Sequence, residues 1–181
     1  MTIITAISDG SSVWIGNNSA YTVGDIPLSG GFDPWVRFGD WALGVTGDSF
    51  QQDFLTLKSK TLSKPDMSPY ALMENIRTMF IDSYISIARD NHASASFGIW
   101  CILVNKDGRV WDVDNHLALS QIPINKVWAR GSGMDYALGA DFAISEIGND
   151  LSPLERVRVC TQAAIINDIS CPGDTVVAKF I

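Results

Sequence analysis

Side chains with reactive groups are few in this sequence and lie far apart along it. The residues that could form a metal site or a catalytic dyad are three cysteines and two histidines: Cys101, Cys160, Cys171, His92 and His116. No C-x-x-C pair occurs, and the wide spacings give no metal-ligand pattern. The sequence therefore predicts buried thiols in a reducing compartment, with no metal and no cofactor.

Two hydroxyl-bearing positions offer other chemistry. Thr2 opens a β-prone run, where threonine is ordinarily a strand residue. Gly131-Ser132-Gly133 separates a β-prone run from a helical one. It is compatible with a plain strand-to-helix turn and also with an anion-binding helix N-terminus. Neither position identifies a reaction by itself.

The predicted order of strands and helices determines how these positions are placed in the fold. β-prone runs fill the first fifty residues, with turn signals at Asp9-Gly10 and Gly39-Asp40. Two helical patterns follow, then strands joined at 105–108, then helices opening at Met134 and at the capping box of Ser152-Pro153, then a last strand. This order predicts an α+β fold, a four-layer αββα sandwich in which two sheets lie between two helical layers.

Three local expectations accompany this order. Gly24, Pro27 and Gly30-Gly31 predict a loop. The apolar run 99–104 does not alternate, which predicts a strand buried on both faces. The last helix is expected to continue to about Ile169.

Length and composition limit the classes of protein. The chain has 181 residues, which predicts a single domain over residues 1–181. Thirteen basic and twenty acidic residues give a net charge of −7, which argues against nucleic-acid binding. No apolar run reaches the roughly 18 residues of a membrane span, and no signal peptide opens the chain. Only 18% of the residues are charged, which is typical of a surface that faces another subunit.

Four segments resemble the N-terminal nucleophile hydrolases of the proteasome β type, which include the bacterial heat-shock ring peptidase. They are a threonine-led first strand, a segment that ends the second strand, a third strand with a glycine turn after it, and a Gly-Ser-Gly element that opens a helix. The corresponding residues are Met1–Ala6, Trp14–Ala20, Asp33–Phe38 with Gly44–Gly47, and Ala129–Ala140. Together they cover essentially the whole chain, and the Gly-Ser-Gly segment is the most specific of them.

The resemblance implies a role for four residues. Thr2 matches the nucleophile, whose base in this class is its own free α-amine. Gly47 matches the turn whose backbone N–H receives the oxyanion. Ser132 and Asp168 match the supporting serine and aspartate.

Two positions depart from the family pattern. Asn18 stands where the family has an aspartate, and Trp35 stands where it has the lysine that lowers the pKa of the amine. Arg37 lies two residues further along the same strand face and could bring a cation nearby, but arginine cannot shuttle a proton. The sequence also places Met1 before Thr2. If Met1 persists, the free amine belongs to methionine and the base is lost as well.

Two functions therefore stay open, and the departures favour the first. One is a ring-forming subunit with an impaired or inactive peptidase site and a structural or binding role. The other is an active threonine peptidase that uses Thr2 after removal of Met1, with a different amidase chemistry as a weaker third option. The resemblance implies a homo-oligomeric ring, an ATPase or peptide as a further partner, no nucleic acid or membrane partner, and a cytoplasmic location in a bacterium or in the host of a bacterial virus. It also predicts that Trp35→Lys with Asn18→Asp raises peptidase activity once Thr2 is exposed.

Overall fold

The computed structural model describes residues 2–23, 26–29, 33–47, 49–62, 67–87, 98–148 and 150–180. Met1, Gly24, Gly30, Gly31 and His92 lie outside these ranges. The described elements follow one another in the order β1 (Ile3–Ser8), β2 (Val13–Asn18), β3 (Ala20–Val23), β4 (Ile26–Ser29), β5 (Trp35–Phe38), β6 (Trp41–Gly47), α1 (Ser49–Leu62), α2 (Pro69–Ile87), β7 (Ile99–Asn105), β8 (Val110–Val113), β9 (Leu119–Gln121), β10 (Trp128–Gly131), α3 (Met134–Ile147), α4 (Pro153–Asn167) and β11 (Thr175–Lys179).

Two antiparallel sheets form the middle of the molecule. One has the strand order β10-β1-β2-β11 and the other β5-β6-β7-β8-β9, while β3 and β4 pair as a separate hairpin. One buried cluster lies between the sheets, a second joins β6 and β7 to α1 and α2, and a third joins β1 and β10 to α3 and α4. The predicted αββα sandwich is confirmed.

Strand β1 is buried on both faces because each face meets a different layer. Ile4 and Ala6 belong to the cluster between the sheets. Ile3 and Ile7 belong to the cluster under α3 and α4.

The end of β1 and the turn between β7 and β8 lie at the same end of the sandwich. At one end the Ser8 hydroxyl, on the last residue of β1, donates to the carbonyl oxygen of Gly108 in the turn between β7 and β8. The opposite end therefore holds the start of β1 and the start of β7. Gly47 also lies there because it pairs with Ile99, as does Gly131 because it pairs with Ile3. We call this the Thr2 end of the sandwich.

The helices agree closely with expectation, with one boundary difference. Helix α4 has the predicted capping box, in which Ser152 and Glu155 bond to each other's backbone N–H. It ends at Asn167 rather than near Ile169, because Asp168 adopts an extended conformation (φ −114°, ψ 107°). The sequence predicts that α2 ends near Asp90-Asn91, and these two residues lie outside the described ranges.

The strands contain two differences from expectation. The predicted loop around Pro27 contains the β3–β4 hairpin, with Thr22 paired to Pro27. Proline is tolerated there because this two-stranded sheet has only edge strands. The short edge strand β9 carries no clear pattern in the sequence. Among the described residues no helix is long and apolar enough to cross a membrane.

Candidate active site

Thr2 is buried at the start of β1 and is held by the last residue of β2. Its side-chain hydroxyl donates to Oδ1 of Asn18. The backbone N–H of Ile3 donates to the same oxygen at 2.9 Å. Asn18 is fully buried. Thr2 and Asn18, which the resemblance matches to the family's nucleophile and aspartate, are therefore in direct contact.

The other half of the Asn18 amide is also fully used. Its Nδ2 donates to the carbonyl oxygen of Ala20 and, at 2.9 Å, to that of Pro172. Carbonyl oxygens only accept hydrogen bonds, so the group that faces them must be a donor. An ionised aspartate has no donor, so these two carbonyls favour asparagine at position 18.

Gly131 brings the Gly-Ser-Gly element against residue 2. Its φ is +114°, and a Cβ at this position would lie 1.9 Å from the carbonyl oxygen of Thr2. Only glycine fits such a conformation and approach. Gly133 packs equally closely on α4, since its Cβ would lie 2.6 Å from Cβ of Ala164. The segment is thus wedged between β1 and α4.

Ser132 and Asp168 share a hydrogen-bonding partner, Cys171, which the sequence did not predict as a site residue. The Ser132 hydroxyl lies 3.3 Å from Sγ of Cys171, and that thiol donates to Oδ2 of Asp168, also at 3.3 Å. Burial raises the pKa of the Cys171 thiol to about 11, against an opposing effect of the Ser132 hydrogen bond. The thiol is therefore neutral at pH 7 and acts as a hydrogen-bonding group rather than a nucleophile. Its position three residues after the helix-end aspartate is the only sequence signal that could have indicated it.

The hydrogen bonds of Asp168 predict an acid-dependent contribution to stability. Burial opposes ionisation, but bonds from the Ser132 side chain, the Ser170 backbone N–H and Cys171 outweigh it and hold the pKa of Asp168 below its usual 3.8. Because the folded-state pKa lies below the unfolded one, this stabilisation is present above about pH 4 and is lost as the pH falls through the folded-state pKa. We expect Asp168→Asn to cost about 1 kcal/mol at pH 7 and progressively less as the pH falls below about 4.

Urea unfolding of both proteins between pH 3 and pH 7 measures this effect. The exposed Asp53→Asn variant serves as the control and should follow the wild type at every pH. A cost for Asp168→Asn that is the same at both ends of the range would show that the ionised carboxylate makes no special contribution.

Gly47 ends β6 at the Thr2 end. Its φ is +110°, and a Cβ would lie 2.2 Å from the carbonyl oxygen of Gly98. The position therefore requires glycine for reasons of backbone geometry alone. The predicted oxyanion role of its N–H stays a prediction.

Trp35 fills the space between the sheets. It is 4% exposed, and it pairs across the strands with Gly44. A Cβ on Gly44 would lie 2.9 Å from both the indole six-membered ring and Cδ1 of Ile4, so the indole occupies the room that the glycine leaves. Its Nε1 is the only buried side-chain polar atom without a hydrogen-bond partner among the described residues. The position that the resemblance matches to the family's lysine thus carries a neutral core residue.

Arg37 lies away from Thr2. Its guanidinium stacks on the ring of Phe180, 5.4 Å from the centroid. The N–H of Phe180 donates to the carbonyl oxygen of Val13, the first residue of β2, at the end opposite the Thr2 end. At about 3.3 Å per residue, the five residues from Val13 to Asn18 span roughly 16 Å. The structure thus does not bring the Arg37 cation to Thr2, contrary to the expectation from strand position alone.

Several solved structures share this fold along essentially the whole chain. BPH from Thiobacillus denitrificans, in complex with epoxomicin, has a TM-score of 0.76 at 16% identity, covering 98% of this chain and 97% of that one. A second BPH structure gives 0.75 at 18%, covering 99% and 97%. The eukaryotic HslV from Trypanosoma brucei gives 0.68 at 15%, covering 98% of each chain. No protein-family profile and no curated protein sequence matches the chain.

The chain has the proteasome-like fold. This confirms the resemblance to the N-terminal nucleophile hydrolases of that type at the level of the fold. Within the proteasome-like fold, Thr2, Asn18, Gly47, Ser132 and Asp168 lie at one end of the sandwich.

Two of the sequence-predicted positions differ from the others in this fold. Trp35 lies in the neighbouring core, and Arg37 lies at the far end. The described residues contain no group of three or more histidine, cysteine or acidic side chains that could hold a metal ion.

Proposed function

We propose that this chain is a proteasome-type, ring-forming subunit whose Thr2 site does not hydrolyse peptides at an appreciable rate, and that it serves as a structural or peptide-binding particle. The observation that carries the proposal is the hydrogen-bond set of Asn18. The Thr2 hydroxyl donates its hydrogen bond to an amide oxygen. An amide oxygen accepts a hydrogen bond but cannot act as a base that removes the proton. The amide is locked in this orientation by two backbone carbonyls.

The remaining groups do not replace the missing relay. A threonine hydroxyl needs a base to become a nucleophile, and attack on a peptide carbonyl requires that base to return the proton to the leaving amine. Trp35 is neutral, and its indole N–H can only donate. The thiol of Cys171 is protonated, and Asp168 accepts hydrogen bonds from the residues around it. An α-amine on Thr2 is available only when nothing precedes that residue.

An active threonine peptidase is the second candidate, because several residues that the resemblance assigns to its site lie near one another. Thr2, Ser132 and Asp168 lie at one end of the fold, with Gly47 at the end of an adjacent strand. The structural neighbour BPH has been solved in complex with epoxomicin. Removal of Met1 would give Thr2 the free amine that serves as the base in this class.

Self-assembly is supported by the helical surfaces. Large apolar side chains stay exposed on both helical layers: Leu57, Tyr70, Phe142, Ile147 and Ile166. Exposed apolar surface of this kind is typical of protein contacts. Proteins of the proteasome type assemble into rings, so we assign these surfaces to contacts between copies of the chain. An ATPase partner stays a prediction.

Hydrolysis and covalent labelling of the purified protein test the proposal. Intact mass first establishes whether Met1 is present. The protein with Thr2 as its first residue is then incubated with fluorogenic peptides and with epoxomicin, beside its Thr2→Ala variant. We expect neither turnover above the Thr2→Ala background nor a mass increase from epoxomicin, while native mass shows an oligomer. Peptide turnover that Thr2→Ala abolishes would establish the peptidase instead, and a monomer at micromolar concentration would contradict ring assembly.

A further inference from the structure

A buried ion pair joins the two sheets close to Thr2 and takes no part in the site described above. Oδ1 of Asp112, on β8, accepts from Nε1 of Trp128 at 2.9 Å and from Nε of Arg130 at 2.6 Å. Its Oδ2 accepts from a terminal guanidinium nitrogen of Arg130 at 2.5 Å. The side chains of Arg130 and Asp112 are 18% and 13% exposed. Asp112 therefore fixes the guanidinium by one edge, in the bidentate geometry that arginine and carboxylate favour.

The opposite edge of the Arg130 guanidinium has little to bind. A guanidinium has five N–H donors in a rigid plane, and Asp112 uses two of them. Among the described residues, the other terminal nitrogen bonds only to Sδ of Met134, at 4.0 Å, and a thioether is a weak acceptor. Met134 is the first residue of α3, directly after the Gly-Ser-Gly segment. Arg130 thus directs unused donors towards the Thr2 end of the sandwich.

The register of β1 and β10 places this guanidinium beside Thr2. Arg130 lies directly opposite Ile4. Thr2 is two residues from Ile4 along the chain, which makes Thr2 and Arg130 diagonal neighbours across the two strands. Such neighbours are about 7–8 Å apart, within reach of a long side chain. Arg130 is therefore the cation that strand register brings nearest to Thr2 in this part of the sheet.

The facing sheet contributes an open aromatic surface at the same end. Trp100, near the start of β7, lies on the same strand face as Ile102 and Val104, which belong to the cluster between the sheets. Its cross-strand partner is Thr46, one residue before Gly47. Trp100 is nevertheless 41% exposed. A tryptophan on the inner face of a central strand keeps such exposure only where the space between the sheets opens to solvent.

We propose that this opening binds a carboxylate-bearing peptide, with the free edge of Arg130 on the carboxylate and Trp100 against the adjoining apolar part. The carboxylate is either the peptide's C-terminus or an acidic side chain, since both present the same planar pair of oxygens. Asp112 and Trp128 preorganise the guanidinium, so little side-chain freedom is lost on binding. The inference rests on the proposed function, because it gives the peptide-binding role of the Thr2 site a ligand class.

Peptide binding measured by fluorescence anisotropy tests the proposal. The probes are one labelled apolar hexapeptide with a free C-terminus, the same peptide amidated, and an amidated version with one internal glutamate. We expect the unaltered protein to bind the free acid, the glutamate peptide or both about tenfold more tightly than the plain amide. Equal affinity for all three, or binding of none, would overturn the proposal. This comparison needs no variant, so it decides the matter even if an Arg130 variant fails to fold.

Variants then assign the effect to residues. Arg130→Lys keeps the charge, but an ammonium group lacks the two edges with which a guanidinium can bind Asp112 and a ligand at once. The preference for the acid should therefore fall to about twofold or less. Trp100→Ala should weaken acid and amide alike. Arg37→Lys is the matched control, because it makes the same change at the far end of the sandwich, and it should change nothing. Equal effects of Arg37→Lys and Arg130→Lys would show that the preference for carboxylate peptides comes from general surface charge, and would overturn the proposal.

Mass spectrometry of the same peptides separates this inference from the proposed function. Cleavage that depends on Thr2 would contradict the proposed function and leave the carboxylate preference standing. Intact peptides bound without a carboxylate preference would contradict the inference and leave the proposed function standing.

Discussion

Gly131→Ala is expected to lower the free energy of unfolding by on the order of 4 kcal/mol, because the added Cβ makes the shortest contact found for any described glycine. The φ of +114° excludes an L side chain without strain, and the added Cβ would lie 1.9 Å from the carbonyl oxygen of Thr2. That oxygen belongs to the backbone of β1, so relief requires movement of a strand that is buried on both faces. Urea unfolding measures the loss, and peptide binding should weaken with it.

Gly139→Ala is the matched control for this substitution. Gly139 lies in α3 on the same side of the fold, and a Cβ there meets nothing within 4 Å. Alanine at an open helical position is favoured over glycine by about 1 kcal/mol, so this variant should be more stable than the wild type. A cost below about 1 kcal/mol for Gly131→Ala would show that the Gly-Ser-Gly segment can move away from Thr2.

Asn18→Asp is expected to lower the free energy of unfolding by about 2–4 kcal/mol at pH 8. The substitution removes the donors that face the carbonyl oxygens of Ala20 and Pro172 and puts a carboxylate oxygen in their place. The folded state then disfavours the charged form, which raises the pKa of the new carboxyl above its usual value near 3.9. The cost should therefore shrink as the pH falls below the folded-state pKa, and urea unfolding at pH 5 and pH 8 measures the difference.

Asn167→Asp makes the same chemical change at an exposed site. The Asn167 amide donates only to the carbonyl oxygen of Ala163, so the cost should stay below about 1 kcal/mol and vary little with pH. If Asn18→Asp matches this control at pH 8, the amide donors of Asn18 do not stabilise the site.

These bonds also change the expectation for restoring the family's charged pair. The sequence predicts a gain of peptidase activity from Trp35→Lys with Asn18→Asp. The structure gives Asn18 two backbone acceptors that suit an amide, and it packs the Trp35 indole against Gly44 and Ile4. We therefore expect the double variant to lose stability before it gains activity.

The sequence predicts the order of elements well because that order depends on local signals. The turn at Asp9-Gly10 and the capping box at Ser152 act within a few residues, and the structure confirms both. The loop predicted around Pro27 is instead part of a strand pair, because an isolated two-stranded hairpin tolerates proline.

The site was only partly predictable because its decisive contacts are distant in sequence. The sequence identified Asn18 as a departure from the family pattern, but its bond to Pro172 spans 154 residues. The link of Cys171 to Ser132 spans 39 residues and became visible only in the folded chain. Arg130 was unremarkable until the register of β1 and β10 placed it across from Ile4.

The state of the three thiols has a practical consequence for chemical probes of this protein. Cys101, Cys160 and Cys171 are the only cysteines, all three are buried, and burial raises the pKa of each. At neutral pH they should be almost entirely unreactive towards alkylating warheads while the protein stays folded. An electrophile that becomes attached to the native chain will therefore have reacted with a group other than a thiol, and the cysteine background that usually obscures such labelling will be low.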